Sequence, residues 1–171
     1  MKDYIIPTVV LGVICLVITA FLAFTYNVTQ PIIEENNRKA AEESRAQVLS
    51  EADGFEEVTG NFPENTVDAY KATNGVGYAI TVTAKGYDST PLKVMIGIKA
   101  DGTIEKLNIL QNSETPGLGS KVSDESFTSQ FVGMDSSMSG YEMIAGATRS
   151  STAMKKAVLT AYEVFDIVKG E

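Results

Sequence analysis

The chain has 171 residues, which allows one modest domain together with a membrane anchor. It carries 14 lysines and arginines against 22 aspartates and glutamates, and the net charge of −8 disfavours nucleic acid and anionic lipid as partners. Histidine is absent, and the single cysteine, Cys15, excludes an internal disulfide and a cysteine cluster for zinc or iron–sulfur. We therefore predict no metal site and no catalytic side chain, so that any redox chemistry must come from an organic cofactor.

The N-terminal element is an uncharged segment that covers residues 4–33. Its most apolar part, residues 5–26, would make a helix of about 33 Å, enough to cross a hydrocarbon core of about 30 Å. The segment is longer than the core of a cleaved signal peptide, and Ile14 ahead of Cys15 does not fit a lipoprotein signal. We predict a retained transmembrane anchor over residues 1–30.

Charge specifies the orientation of this anchor only weakly, because Lys2 on one side is balanced by Arg38 and Lys39 among glutamates on the other. A very short tail ahead of a single domain favours an N-terminus in the cytoplasm. We therefore predict a single-pass protein of the cell membrane whose C-terminal domain is extracytoplasmic.

A second helical segment follows the anchor. Residues 31–53 are rich in helix formers, and Glu35 and Lys39 are spaced for a favourable i,i+4 pair, as are Glu34 and Arg38. We predict a solvated helical stalk, with a partner-binding helix as the alternative. The remaining residues, 54–171, are predicted to form one domain.

Alternating β-branched and aromatic residues predict the strands of this domain. The expected strands are 69–72, 76–87, 92–99 and 103–110. Asp101-Gly102 between the last two is a strong hairpin signal. A turn is expected at 54–60 and a short helix at 125–131.

The last element is an amphipathic helix with Ser150 or Ser151 as its N-cap. Its apolar stripe recurs at steps of one, three and four: Ala153, Met154, Ala157, Val158, Ala161, Val164, Phe165 and Val168. Together the elements predict an α+β fold, with an N-terminal transmembrane helix and a mostly antiparallel twisted sheet flanked by helices.

The segment before this helix reads AGATRSS over residues 145–151. Its small residues would let a large group approach the backbone, and a helix start offers free N–H groups and a partial positive charge to a phosphate. Thr148 adds a hydroxyl at that point. Taken alone, such a segment is more often ordinary turn and capping chemistry.

Two motifs together carry a resemblance to a known family. Residues 146–158, GATRSSTAMKKAV, resemble the flavinylation motif of the FMN-binding domain family, and residues 114–119, ETPGLG, match a second motif of that family. The family includes the G subunit of Rnf ferredoxin:NAD⁺ oxidoreductases, to which the anchor and stalk are also similar, and the C subunit of Na⁺-translocating NADH:quinone reductases. The resemblance covers nearly the whole chain.

This resemblance implies that FMN is bound covalently, through a phosphoester on Thr148. A threonine hydroxyl is a poor nucleophile without a base, so the family's separate flavin transferase, which uses FAD and Mg²⁺, is the expected agent of attachment. The expected cofactor-binding residues beside Thr148 are Glu114, Thr115, Gly117, Leu118, Gly146, Ala147, Ser150 and Ser151.

The resemblance also implies a function. The protein would be an electron-transfer component of a membrane-bound Rnf complex, relaying electrons between other membrane and peripheral subunits during ferredoxin:NAD⁺ oxidoreduction coupled to Na⁺ or H⁺ translocation. One alternative is a stand-alone exported FMN electron carrier or the C subunit of a quinone reductase. An alternative of another class is a membrane-anchored binding module without flavin.

Two positions depart from the family pattern. Glu142 stands where the family has aspartate, and Ala145 where it has serine or threonine. Glutamate keeps the charge on a longer side chain, while alanine lacks the hydroxyl. We expect attachment at Thr148 with an efficiency that these two changes can lower.

Overall fold

The computed structural model describes residues 2–170, with side chains from Ile6 onward. Helix α1 (Lys2–Val48) is continuous through Pro7 and Pro31. The chain divides into two compact units after Ala41. In the first unit, an 18-residue window of α1 has a mean hydropathy of 2.6 and is not buried by any part of the described chain. This helix is long and apolar enough to cross a membrane, as the sequence predicts.

The predicted helical stalk is the later part of the same helix. Lys39 Nζ lies 3.3 Å from Glu35 Oε1, so that predicted pair is present, and Arg38 also contacts Glu35 at 3.1 Å. Both pairs are exposed and therefore contribute little to stability. The helix ends at Val48, before the predicted end of the stalk at residue 53, and a turn follows it.

The second unit contains a five-stranded antiparallel sheet in the order β1-β2-β3-β4-β5. Its strands are β1 (Phe55–Glu57), β2 (Thr66–Ala72), β3 (Gly77–Ala84), β4 (Leu92–Lys99) and β5 (Ile104–Gln111). Short helices follow at α2 (Glu125–Thr128) and in 3₁₀ form at Gly119–Ser123 and Ser129–Phe131, and the chain closes with α3 (Thr148–Lys169). The predicted α+β fold is confirmed.

One face of the sheet packs against α3 and forms the main core. Alternate residues of β3 and β4 point to this face, so Ile80, Val82, Val94 and Ile96 are fully buried. All eight residues of the predicted apolar stripe of α3 are buried against them, including Met154. Burial of this stripe fixes where α3 begins relative to the sheet, and so positions the segment that precedes it.

The opposite face of the sheet is covered by the end of α1. The Arg45 guanidinium lies 3.6 Å from the centroid of the Tyr70 ring on β2. The Val48 carbonyl rests against Gly97 of β4, where a Cβ atom would overlap it. Both faces of the central strands are thereby shielded, which explains why β3 and β4 are buried almost throughout.

The structure corrects several sequence predictions. The segment 54–60, predicted as a turn, contains the edge strand β1, whose Phe-Glu-Glu sequence has no alternating apolar pattern. Ser150 and Ser151 do not cap α3, because the helix already begins at Thr148 with Ala147 at the N-cap position. Strand β4 has the predicted bounds, β3 ends at Ala84 instead of Tyr87, and 125–131 is helical as predicted.

We predict that Gly97→Ala destabilises the second unit, because the added methyl group collides with the rigid Val48 carbonyl. Overpacking of this kind costs about 1–3 kcal/mol, more than the gain from restricting the unfolded chain. Chemical unfolding followed by circular dichroism measures the loss. Gly170→Ala is the matched control, since its new Cβ would lie 3.6 Å from the nearest neighbouring atom, an ordinary contact. Equal stability of the two variants would contradict the packing argument.

Candidate cofactor site

Two loops meet the start of α3 and enclose a cavity of about 500 Å³. Seven of the sequence-predicted site residues line it: Glu114, Thr115, Leu118, Gly146, Ala147, Thr148 and Ser150. Three further residues complete the lining: Gly119 and Arg149, which lie within the two motifs but were not predicted as site residues, and Tyr87, which lies outside both motifs. Of the predicted set, Gly117 and Ser151 lie outside the lining, Gly117 in the 114–119 loop and Ser151 in the first turn of α3.

Glu114 joins the three segments of the site. Its side chain is 4% exposed, and its carboxylate accepts hydrogen bonds from the backbone N–H groups of Tyr87 at 3.0 Å and Asp88 at 3.3 Å. It also accepts a short hydrogen bond from the Ser150 hydroxyl. Because these donors occupy the carboxylate, Glu114 acts as a structural acceptor. Its polar contact to a cofactor stays a prediction.

Close backbone approach makes this arrangement sterically feasible. A Cβ atom at Gly86 would overlap Glu114 Oε1, and one at Gly119 would lie 2.7 Å from Glu114 Oε2. Gly146 adopts φ +83°, a left-handed conformation that glycine tolerates best, and turns the chain into α3. The glycines of both motifs therefore have a structural role in forming the cavity.

The start of α3 offers donors to an anion. Ala147 provides no side-chain cap, and no other described side chain caps this end in its place. The first N–H groups of the helix therefore point outward unsatisfied, at the positive end of the helix dipole. This is the kind of position that binds a phosphate group.

The hydroxyl groups of residues 148–152 differ in whether they form hydrogen bonds within the protein. The Ser150 hydroxyl donates to Glu114, Ser151 Oγ accepts from the Ile144 N–H at 3.1 Å, and the Thr152 hydroxyl donates to the Thr148 carbonyl at 2.7 Å. Thr148 is exposed, and its own hydroxyl has no hydrogen-bond partner among residues 6–170, whose side chains the structure describes. Thr148 thus carries the one hydroxyl of these four that is accessible and unengaged in the described chain.

The rim of the cavity is apolar and open. Tyr87 is 67% exposed and Leu118 is 52% exposed, which is unusual for such large side chains. The Arg149 guanidinium carbon lies 5.8 Å from the centroid of the Tyr87 ring. The sequence did not point to Tyr87 because its pattern placed this residue at the end of a strand, whereas the strand stops before it and leaves its ring at the rim.

Hydrogen bonds of Tyr141 and Glu142 hold the segment that precedes Thr148 in place. The Tyr141 hydroxyl donates to the Ser151 carbonyl, and burial raises the pKa of Tyr141 to about 12. The backbone N–H of Glu142 donates to Gln130 Oε1 at 2.8 Å, and the Glu142 side chain is exposed. Ala145 is exposed as well. Neither of the two departures from the family pattern therefore lines the cavity, and both lie on an accessible surface.

These features fit a flat ring system that carries a phosphate. The helix start supplies donors for the phosphate, Thr148 supplies an accessible oxygen, and the walls formed by Tyr87 and Leu118 are apolar. Gly146 leaves space beside the backbone, since a Cβ atom there would lie 4.0 Å from its nearest neighbour, Leu118.

Comparison with known proteins agrees with this geometry. Residues 86–163 match the FMN-binding domain, and residues 3–48 match the RnfG N-terminal region. The chain is 31% identical to the G subunit of the ion-translocating oxidoreductase complex of Methanosarcina acetivorans, over 95% of this chain and 94% of that protein. The chain belongs to the RnfG family, the G subunits of ion-translocating oxidoreductase complexes.

Two other members of the RnfG family are similar over most of their length. One is the G subunit of the proton-translocating ferredoxin:NAD⁺ oxidoreductase of Clostridium ljungdahlii, 26% identical over 90% of this chain and 86% of that protein. The other is the G subunit of the Na⁺-translocating ferredoxin:NAD⁺ oxidoreductase of Acetobacterium woodii, 33% identical over 86% of this chain and 80% of that protein. The names differ in the transported ion, so family membership leaves the ion open.

Family membership identifies the cofactor of the domain and the kind of complex to which the chain belongs. FMN is the cofactor of this domain type, and every lining residue of the cavity falls within the matched domain. As an RnfG-family protein, the chain is one component of a membrane-bound oxidoreductase, and the apolar α1 fits a single-pass membrane protein.

We predict that Glu114→Gln destabilises the site. The carboxylate accepts hydrogen bonds from Tyr87 N–H and the Ser150 hydroxyl, and the amide NH₂ group of glutamine would place a second donor against one of them. The expected loss is about 1–3 kcal/mol of unfolding free energy. Limited proteolysis would show earlier cleavage in the loops 85–90 and 114–119. Glu125→Gln, at an exposed position of α2, is the control with the same chemical change. Unchanged cleavage in Glu114→Gln would show that the carboxylate does not hold these loops.

Proposed function

We propose that this protein carries FMN as a phosphoester on Thr148 and relays electrons between other subunits of an Rnf-type complex. Its domain would lie outside the cytoplasm, tethered by α1. The complex would couple ferredoxin:NAD⁺ oxidoreduction to the transport of Na⁺ or H⁺, as the names of its relatives indicate. The bound FMN supplies the redox chemistry, while the protein binds and orients the ring.

The accessible hydroxyl of Thr148 is the observation that carries this proposal. Ser150, Ser151 and Thr152 use their hydroxyl groups in hydrogen bonds within the protein, so attachment there would break an existing contact. Attachment at Thr148 breaks none of the described contacts. It also puts the phosphate at the helix start, where the N–H donors lie.

A separate flavin transferase fits the chemistry of the site. The chain has no histidine, and the carboxylate that lines the cavity, Glu114, is occupied by donors. Thr148 thus lacks a base that would activate it, and an external enzyme must supply the activation. Exposure of residues 142, 145 and 148 leaves the segment accessible to that enzyme.

Covalent attachment suits an extracytoplasmic domain. The cavity is open at its rim, and free flavin is scarce outside the cytoplasm. A cofactor held only by affinity dissociates when its concentration falls below the dissociation constant. A phosphoester on Thr148 keeps FMN in place regardless of concentration.

The domain organisation proposed is an anchor over residues 1–30, a stalk over 31–53 and the FMN-binding domain over 54–171. The match of residues 3–48 to the RnfG N-terminal region favours a component of this complex over a stand-alone carrier or the C subunit of a quinone reductase. Partner membrane and peripheral subunits would deliver and accept the electrons.

We predict that wild-type protein produced together with a flavin transferase gives a fluorescent band under ultraviolet light after denaturing electrophoresis, and that Thr148→Val abolishes it. The variant keeps the shape of the side chain and removes the oxygen that forms the bond. Thr160→Val, in the same helix and outside the cavity, should stay fluorescent. A fluorescent Thr148→Val band would show that FMN is attached at another residue. A dark wild-type band would favour the alternative of a binding module without flavin.

We predict that a cysteine at the exposed position 136 reacts with a membrane-impermeant maleimide on intact cells, because the domain is extracytoplasmic. The experiment uses Ser136→Cys in a Cys15→Ala background, which removes the native thiol. Lys2→Cys in the same background is the control and should react only after permeabilisation. The opposite pattern would reverse the proposed orientation.

A further inference from the structure

We propose that Arg149 provides the positive charge that offsets the negative charge acquired by FMN on reduction. This inference rests on the proposed attachment at Thr148. It assigns a role to a residue that the sequence motif leaves unspecified, and it concerns how readily the bound flavin accepts electrons.

The geometry places Arg149 between the attachment point and the rim. It follows Thr148 in the first turn of α3 and lines the same cavity. Its guanidinium extends to the rim, 5.8 Å from the centroid of the Tyr87 ring. An apolar ring system held against Tyr87 would therefore lie beside this charge.

The charge of Arg149 is available. Arg149 forms no ion pair with any side chain described in residues 6–170, although the chain as a whole carries a net charge of −8. It is also the one cation among the described residues that line the cavity. The phosphate does not require it, because the unsatisfied N–H groups at the start of α3 serve that purpose.

The other charged group of the lining has the opposite sign. Glu114 is buried, and its carboxylate is held by Tyr87, Asp88 and Ser150, so its negative charge stays fixed beside the cavity. Asp88, close to the same loop, accepts from the Thr90 N–H at 2.8 Å. Without Arg149 the cavity would carry a net negative charge and would oppose the addition of electrons.

The charge balance determines the direction of the effect. Two electrons from a partner protein and one proton from water convert oxidised FMN to its reduced form, which bears one additional negative charge on the ring. A fixed cation stabilises this form more than the neutral oxidised ring, and so raises the midpoint potential. Arg149 needs no proton transfer for this purpose, because a guanidinium stays charged at any working pH.

The test compares midpoint potentials by spectroelectrochemistry of the full-length, FMN-loaded protein in detergent. Arg149→Gln should lower the potential by about 30 mV, which corresponds to a tenfold shift in a two-electron equilibrium. Arg149→Lys keeps the charge and should restore most of the difference. Lys156→Gln removes the same charge from an exposed position of α3 outside the cavity, and should leave the potential unchanged.

Each outcome separates this inference from the proposed function. A lower potential in Arg149→Gln with equal fluorescence on the denaturing gel supports it. Equal potentials in Arg149→Gln and Lys156→Gln would overturn it, while covalent FMN on Thr148 would stand. Loss of the fluorescent band in Arg149→Gln would also overturn it, since Arg149 would then serve attachment. A dark wild-type band would refute the proposed function itself.

Discussion

A buried carboxylate holds the candidate site together. Glu114 is almost inaccessible to water and has no ion-pair partner among the side chains described in residues 6–170, so its burial must be compensated by hydrogen bonds. Those bonds come from the loop after β3 and from the first turn of α3, two segments that are distant in sequence. Because each donor would be left unsatisfied without the carboxylate, the three segments form or separate together. The shape of the cavity is a consequence of this one group.

Helix α3 starts without a side-chain cap, because Ala147 holds the N-cap position and neither serine of the first turn has a free hydroxyl. Serine commonly caps a helix, but Ser150 is directed to Glu114 and Ser151 to the Ile144 N–H. Withdrawing both hydroxyls leaves the helix start open and Thr148 exposed. The missing side-chain cap reduces the stability of α3, and the same uncapped helix start is suited to binding a phosphate. The free energy that stabilises α3 despite its uncapped start comes from the apolar stripe buried against the sheet.

The sequence predicted what depends on periodicity and on contiguous motifs. The stripe of α3, strand β4 and the anchor all follow from regular patterns, and the residues of the two motifs do meet at one cavity. It did not predict what depends on partners remote in sequence. The helix start was misplaced because local capping preferences ignore Glu114, which lies 36 residues away from Ser150. Tyr87 was missed because its position at the rim follows from where β3 ends.

The open rim would determine how electrons reach FMN bound as proposed. With Tyr87 and Leu118 largely exposed, a ring held between them would present an edge to the surroundings. Electron tunnelling slows steeply as the gap between donor and acceptor widens, so a partner that docks on this rim faces the shortest gap. Exchange then requires neither substrate entry nor movement of a lid. Turnover would be governed by how long each partner stays docked, and the choice of partner by the surface around the rim.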